Sequence, residues 1–76
     1  MRSMSEILNL VVDGKLTSKQ EARAIVEEQA ENLAAIEETT VDEARAEFRR
    51  DIELATHLYS PVHRENIREL FELEAK

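Results

Sequence analysis

Residues 17–58, TSKQEARAIVEEQAENLAAIEETTVDEARAEFRRDIELATHL, hold two long amphipathic patterns with only Glu38-Thr39-Thr40 between them. In the first, Ala22, Val26, Leu33 and Ile36 recur at four-three spacing with Ile25 alongside. In the second, Val41, Ala44, Phe48, Ile52 and Ala55 form a stripe flanked by Leu54 and Leu58. Such spacing lines one face of a helix and predicts helices over 18–37 and 41–58. A link this short forces antiparallel neighbours. Counting outward from it pairs Ile36 with Val41, Leu33 with Ala44, Gln29 with Phe48, Val26 with Ile52 and Ala22 with Ala55. These layers alternate large with small side chains, as interdigitation requires.

Working outward, each helix start carries a local signature. Ser3 is followed by Glu6, Thr17 by Gln20, Ser18 by Glu21 and Thr40 by Glu43. In such a box the hydroxyl accepts one of the unpartnered amide protons of the first turn, and the acid or amide reaches back. Ser60-Pro61 puts a hydroxyl before a proline, which has no amide to leave unpaired at the first helical position. The single glycine, in Asp13-Gly14-Lys15, fits a left-handed helix end. Two further helices are therefore expected, a first over 4–12 with Met4, Ile7, Leu8 and Val11 on one face, and a fourth over 61–74 with Val62, Ile67, Leu70, Phe71 and Leu73. No run alternates with period two, so strands are not expected. The reading is one all-α domain over residues 1–76, a small three- or four-helix bundle built on the antiparallel hairpin of helices 2 and 3.

Composition narrows function mainly by exclusion. The chain has 17 acids and 10 bases, a net charge of −7. That opposes a general grip on nucleic-acid phosphates or anionic membrane and permits steering toward a basic partner. There is no cysteine, hence no disulfide and no thiolate ligand. No apolar run approaches the roughly 20 residues of a membrane span, and the N-terminus lacks the apolar core of a secretory signal. Cytoplasmic residence is the expectation.

Catalysis has little to build on. There is no Cys nucleophile, no Gly-rich phosphate loop and no recognisable Ser, His and acid set, so no enzyme and no cofactor is expected. Glu53, His57 and His63 are too sparsely spaced for a zinc site. The segment Asp13-Gly14-Lys15-Leu16-Thr17 lacks the flanking ligands of a calcium loop, with Val11 before it and Gln20 where a bidentate Glu belongs. Lys19, Gln20 and Arg23 at the start of helix 2 give a recognition helix only a short basic end before the helix turns acidic.

Two surfaces remain. On helix 4 the apolar side chains spread over about half the circumference, so Ile67, Leu70, Phe71 and Leu73 are expected to contact a protein partner, most simply a second copy in a homodimer. On helix 2 the carboxylates Glu27, Glu28 and Glu31 stand three and four apart, facing one another. The alternative is a small inhibitor or adaptor that docks this acidic face onto a basic, nucleic-acid-binding surface of a partner protein. Gln29 and Asp51 interrupt the apolar stripes and are expected at the edge of the core, in reach of water.

Overall fold

The computed structural model describes residues 3–73. It contains four helices, α1 (Met4–Val12), α2 (Lys19–Glu37), α3 (Val41–Thr56) and α4 (Pro61–Leu70), with no strand among the described residues. The local signatures place the starts. Ser3 accepts from the Glu6 amide at 3.2 Å, Ser18 from Glu21 at 3.1 Å and Thr40 from Glu43 at 3.2 Å. Of the two overlapping boxes before α2, Ser18 is the one that caps. Ser60 makes no side-chain capping bond, and Pro61 begins α4 without one.

The left-handed end expected at Gly14 is present, and two further helix ends hold what local sequence does not reveal. Three of the four helices finish in the same way, with one left-handed residue just past the end: Gly14 at φ 74°, Glu38 at φ 54° and Glu72 at φ 55°. In each case the following amide closes a bond back over the last turn, from Lys15 to Leu10 O at 2.9 Å, Thr39 to Ala34 O at 3.1 Å and Leu73 to Arg68 O at 2.9 Å. These bonds satisfy carbonyls that the helix leaves open. Only one of the three positions is a glycine. A side chain in this region costs roughly 1–2 kcal/mol of backbone strain. The same turn at Glu72 ends α4 at Leu70, short of the expected residue 74, which lies outside the described residues. α3 ends at Thr56 where 58 was expected, because the amides of His57, Leu58 and Tyr59 bond three residues back and tighten the last turn.

Two opposite substitutions test this. Gly14→Ala should destabilise the chain by about 1 kcal/mol, since an added Cβ meets nothing within 4 Å and only the backbone resists. Glu38→Gly should stabilise it by about 0.5–1 kcal/mol, the relieved strain being partly offset by unfolded-state entropy. Urea denaturation of both variants measures the two signs.

The core lies at one end of the hairpin. Ile7, Leu8 and Val11 from α1, Ala22 and Val26 from α2, Phe48 and Ile52 from α3, Ile67 from α4 and Phe71 just past its end form one buried cluster. Leu16, which belongs to the segment between α1 and α2 and to no helical stripe, is buried with them. Thr56 is also sealed, its hydroxyl donating to Ile52 O at 2.6 Å. A second, separate cluster holds the hairpin alone, with Ala30, Ala34 and Ala44 buried and Leu33 half-buried against them.

The two clusters follow from helix lengths. At 1.5 Å per residue α2 is about 28 Å long, whereas α1 and α4 are about 13–15 Å. The short helices cover the end where α2 begins and α3 finishes. Beyond Gln29 only two helices remain, joined by an alanine seam. The outermost expected layer is therefore not a core layer: Ile36 is 69% exposed, and Val41 is exposed as well. Leu54, Leu58 and Val62 also face outward. Asp51 is exposed, as expected. Gln29 is not at the edge; it is 2% exposed at the junction of the clusters, and its Oε1 has no hydrogen-bond partner among the described residues.

Candidate docking surface

The four helix 4 residues divide by depth. Ile67 is fully buried and Phe71 is 2% exposed, both inside the chain's own core. Leu70 and Leu73 are half-buried against it. The spread of apolar positions on α4 arises because the helix touches α1, α2 and α3 together. Its end is held from a distance, with Arg49 Nη2 donating to Phe71 O at 2.8 Å and Glu72 O at 3.0 Å. That cation at the negative end of a helix joins residues more than twenty apart, so nothing in the local sequence points to it. Across the same junction Arg23 grips Glu72, with Nε to Oε1 at 2.6 Å and Nη2 to Oε2 at 3.0 Å.

The helix 2 acids divide too. Glu27 is taken by Arg45, which donates to both carboxylate oxygens at 2.6 and 3.0 Å and reaches Asp42 at 2.7 Å as well. These hydrogen bonds hold the Glu27 carboxyl below its ordinary range. Glu28 and Glu31 are exposed on the outer face of α2. A further set of carboxylates, not anticipated as a group, meets across the hairpin. Glu47 on α3 reaches Glu37 on α2, with Asp51 near by. The Glu37 carboxyl is pushed above its ordinary value, first by its hydrogen bond with Glu47, then by desolvation, then by the neighbouring charges of Glu47 and Asp51. Thr39 donates to Glu43 beside this set.

Charge along the chain is uneven in the same place. Residues 27–47 hold eight of the 17 acids and one of the 10 bases, Arg45. The remainder of the chain has nine of each. The whole net charge of −7 thus belongs to the outer half of the hairpin, the part that α1 and α4 do not cover.

The other residues weighed for chemistry are dispersed. His57 is exposed at the end of α3, His63 is half-buried in α4, and Glu53 lies 3.7 Å from Arg68. Among the described residues no three His, Asp or Glu side chains gather as a metal-binding group. Gly14 serves the end of α1, and the following Leu16 turns into the core. Lys19, Gln20 and Arg23 are exposed, Arg23 being engaged by Glu72. No described helix is long and apolar enough to cross a membrane.

Compared with protein-family models, with curated proteins and with solved structures, the chain matches none.

Proposed function

We propose that this protein is a docking module without catalytic chemistry, an adaptor or inhibitor that presents the acidic outer half of its hairpin to a basic surface of another protein. One observation carries the reading: the entire net charge of −7 sits in residues 27–47, at the end of the molecule where two helices stand alone. A concentrated charge at one end of a molecule steers a cationic partner and suppresses anionic ones. It does little for folding, since like charges three and four apart on a helix cost about 0.2–0.5 kcal/mol per pair. Glu28 and Glu31 are open for such contact, whereas Glu27 would have to share Arg45.

Self-association through α4 has less support, because Ile67 and Phe71 are occupied in the chain's own core and only Leu70 and Leu73 keep some surface.

Affinity purification from the native host at rising salt, run beside Glu28→Lys/Glu31→Lys and Glu43→Lys/Glu47→Lys variants that reverse charge on either helix of the acidic hairpin, separates the two. The acidic reading expects basic proteins that elute as salt rises and are lost on charge reversal. Retention that ignores salt and charge reversal but fails with Leu70→Ala would favour α4 instead.

A further inference from the structure

α3 carries two unlike surfaces end to end. Glu43, Glu47, Asp51 and Leu54 follow one another at spacings of three and four, which places them along one side of the helix, and Leu58 follows in the turn just past its end. The first half of that strip is anionic and is reinforced by Glu37 from across the hairpin. The second half is apolar, with Leu54 69% and Leu58 86% exposed. Val62, in the first turn of α4, is a third open apolar side chain four residues further along the chain. Arg50 lines two shallow hollows along the strip, one with Glu37, Glu43 and Glu47, the other with Glu53, Leu54 and His57. One base does not offset four acids.

Resting on the docking function proposed above, we propose that this strip of α3 is its seat, and that the occupant is a cationic amphipathic helix of a partner protein. Its basic side chains lie over Glu43, Glu47 and Asp51, and its apolar side covers Leu54 and Leu58. Charge selects the occupant. A second copy would bring its own −7 against the first, and nucleic acid or an anionic membrane would meet the carboxylates with phosphate. Length fits as well, because Glu43 to Thr56 spans about 20 Å along α3 with Leu58 just beyond, three to four turns of a partner helix. The leucines supply what charge alone does not, an anchor whose burial persists when salt screens the carboxylates.

A synthetic two-heptad helix of leucine and lysine serves as the probe, with a control peptide in which every leucine is replaced by glutamine. Binding is followed by fluorescence anisotropy and by amide chemical shifts of the whole chain. The expected result is shifts centred on residues 43–58, with a Kd that rises at least about tenfold in a Leu54→Ala/Leu58→Ala variant. The glutamine control should bind more weakly and should not distinguish that variant from the parent. Both leucines are exposed, so the variant keeps the core intact, and its circular dichroism checks this. If the leucine variant binds the probe as tightly as the parent while shifts fall on Glu28 and Glu31, the strip is not the seat, although an acidic docking face survives. If the probe does not bind at low salt, both readings fall. A parent that sediments as a dimer and turns monomeric in the leucine variant would assign the strip to a second copy and overturn the proposed occupant.

Discussion

Phe71→Ala is expected to remove about 3–5 kcal/mol of stability, the usual cost of emptying an aromatic from a packed core. For a chain of this size the total is about 4–11 kcal/mol, so much of the population should be unfolded or have α4 detached. The reason is placement. Phe71 is sealed among residues from all four helices, at the end of a ten-residue helix. A helix that short does not persist by itself. Arg49 binds the Phe71 backbone carbonyl, a bond that alanine retains but that persists only while the end of α4 stays docked. If Phe71 were instead a contact for another molecule, alanine would leave the melting curve in place and lower association only. Urea denaturation at two protein concentrations decides between these. The expected outcome is a large fall in midpoint that does not depend on concentration.

Gln29→Met is expected to act in the opposite direction and stabilise the fold by about 1–2 kcal/mol. A buried polar atom without a partner costs about 1–3 kcal/mol, and an apolar group of similar shape removes that cost. Gln29 is 2% exposed and its Oε1 is unpartnered among the described residues. It occupies the point where the four-helix core gives way to the alanine seam, with Val26 on one side and Ala30 on the other. Methionine has nearly the length and flexibility of glutamine and suits an irregular gap. Polar groups buried in a seam can hold helix register. A methionine variant that is more stable but gives broadened amide spectra would assign that role to Gln29. A less stable variant would mean that its amide is satisfied in solution by water.

The fold was legible because its signals are local. Ser3, Ser18 and Thr40 announce three helix starts from within four residues, and Pro61 announces the fourth. The four-three stripe from Ala22 to Val26 and the stripe from Ala44 through Phe48 to Ile52 needed only helical periodicity. What stayed hidden depends on distant parts of the chain. Periodicity marks Ile36 and Val41 as apolar but does not tell how far α1 and α4 reach, and those helices stop short of that layer. Glu38 and Glu72 take a conformation usually left to glycine because the packed helices fix where each chain segment must turn. Arg49 finds its partners at Phe71 and Glu72, just past the end of α4 and beyond the range of any local pattern. The apolar arc of α4 was ambiguous for the same reason: it can mean an open face or contact with several helices, and only the arrangement of α1, α2 and α3 around Ile67 and Phe71 shows that these two side chains lie in the chain's own core, with Leu70 and Leu73 half-buried. The acids of α2 could be seen in sequence, but their division could not. Arg45 takes Glu27, while Glu37, at the far end of α2, joins Glu47 and Asp51 on α3.

Amide hydrogen exchange of the whole chain, alone and with the leucine–lysine helix, tests the central claim most directly: a self-sufficient core at one end and an acidic docking hairpin at the other. Slowest exchange is expected around Val26, Ile52 and Ile67, with faster exchange from Ala34 to Ala44, where only the alanine seam resists opening. Added helix should slow the outer hairpin and α3 while leaving α4 unchanged. Uniform protection along α2 and α3 in the free chain, or added protection confined to α4, would contradict it.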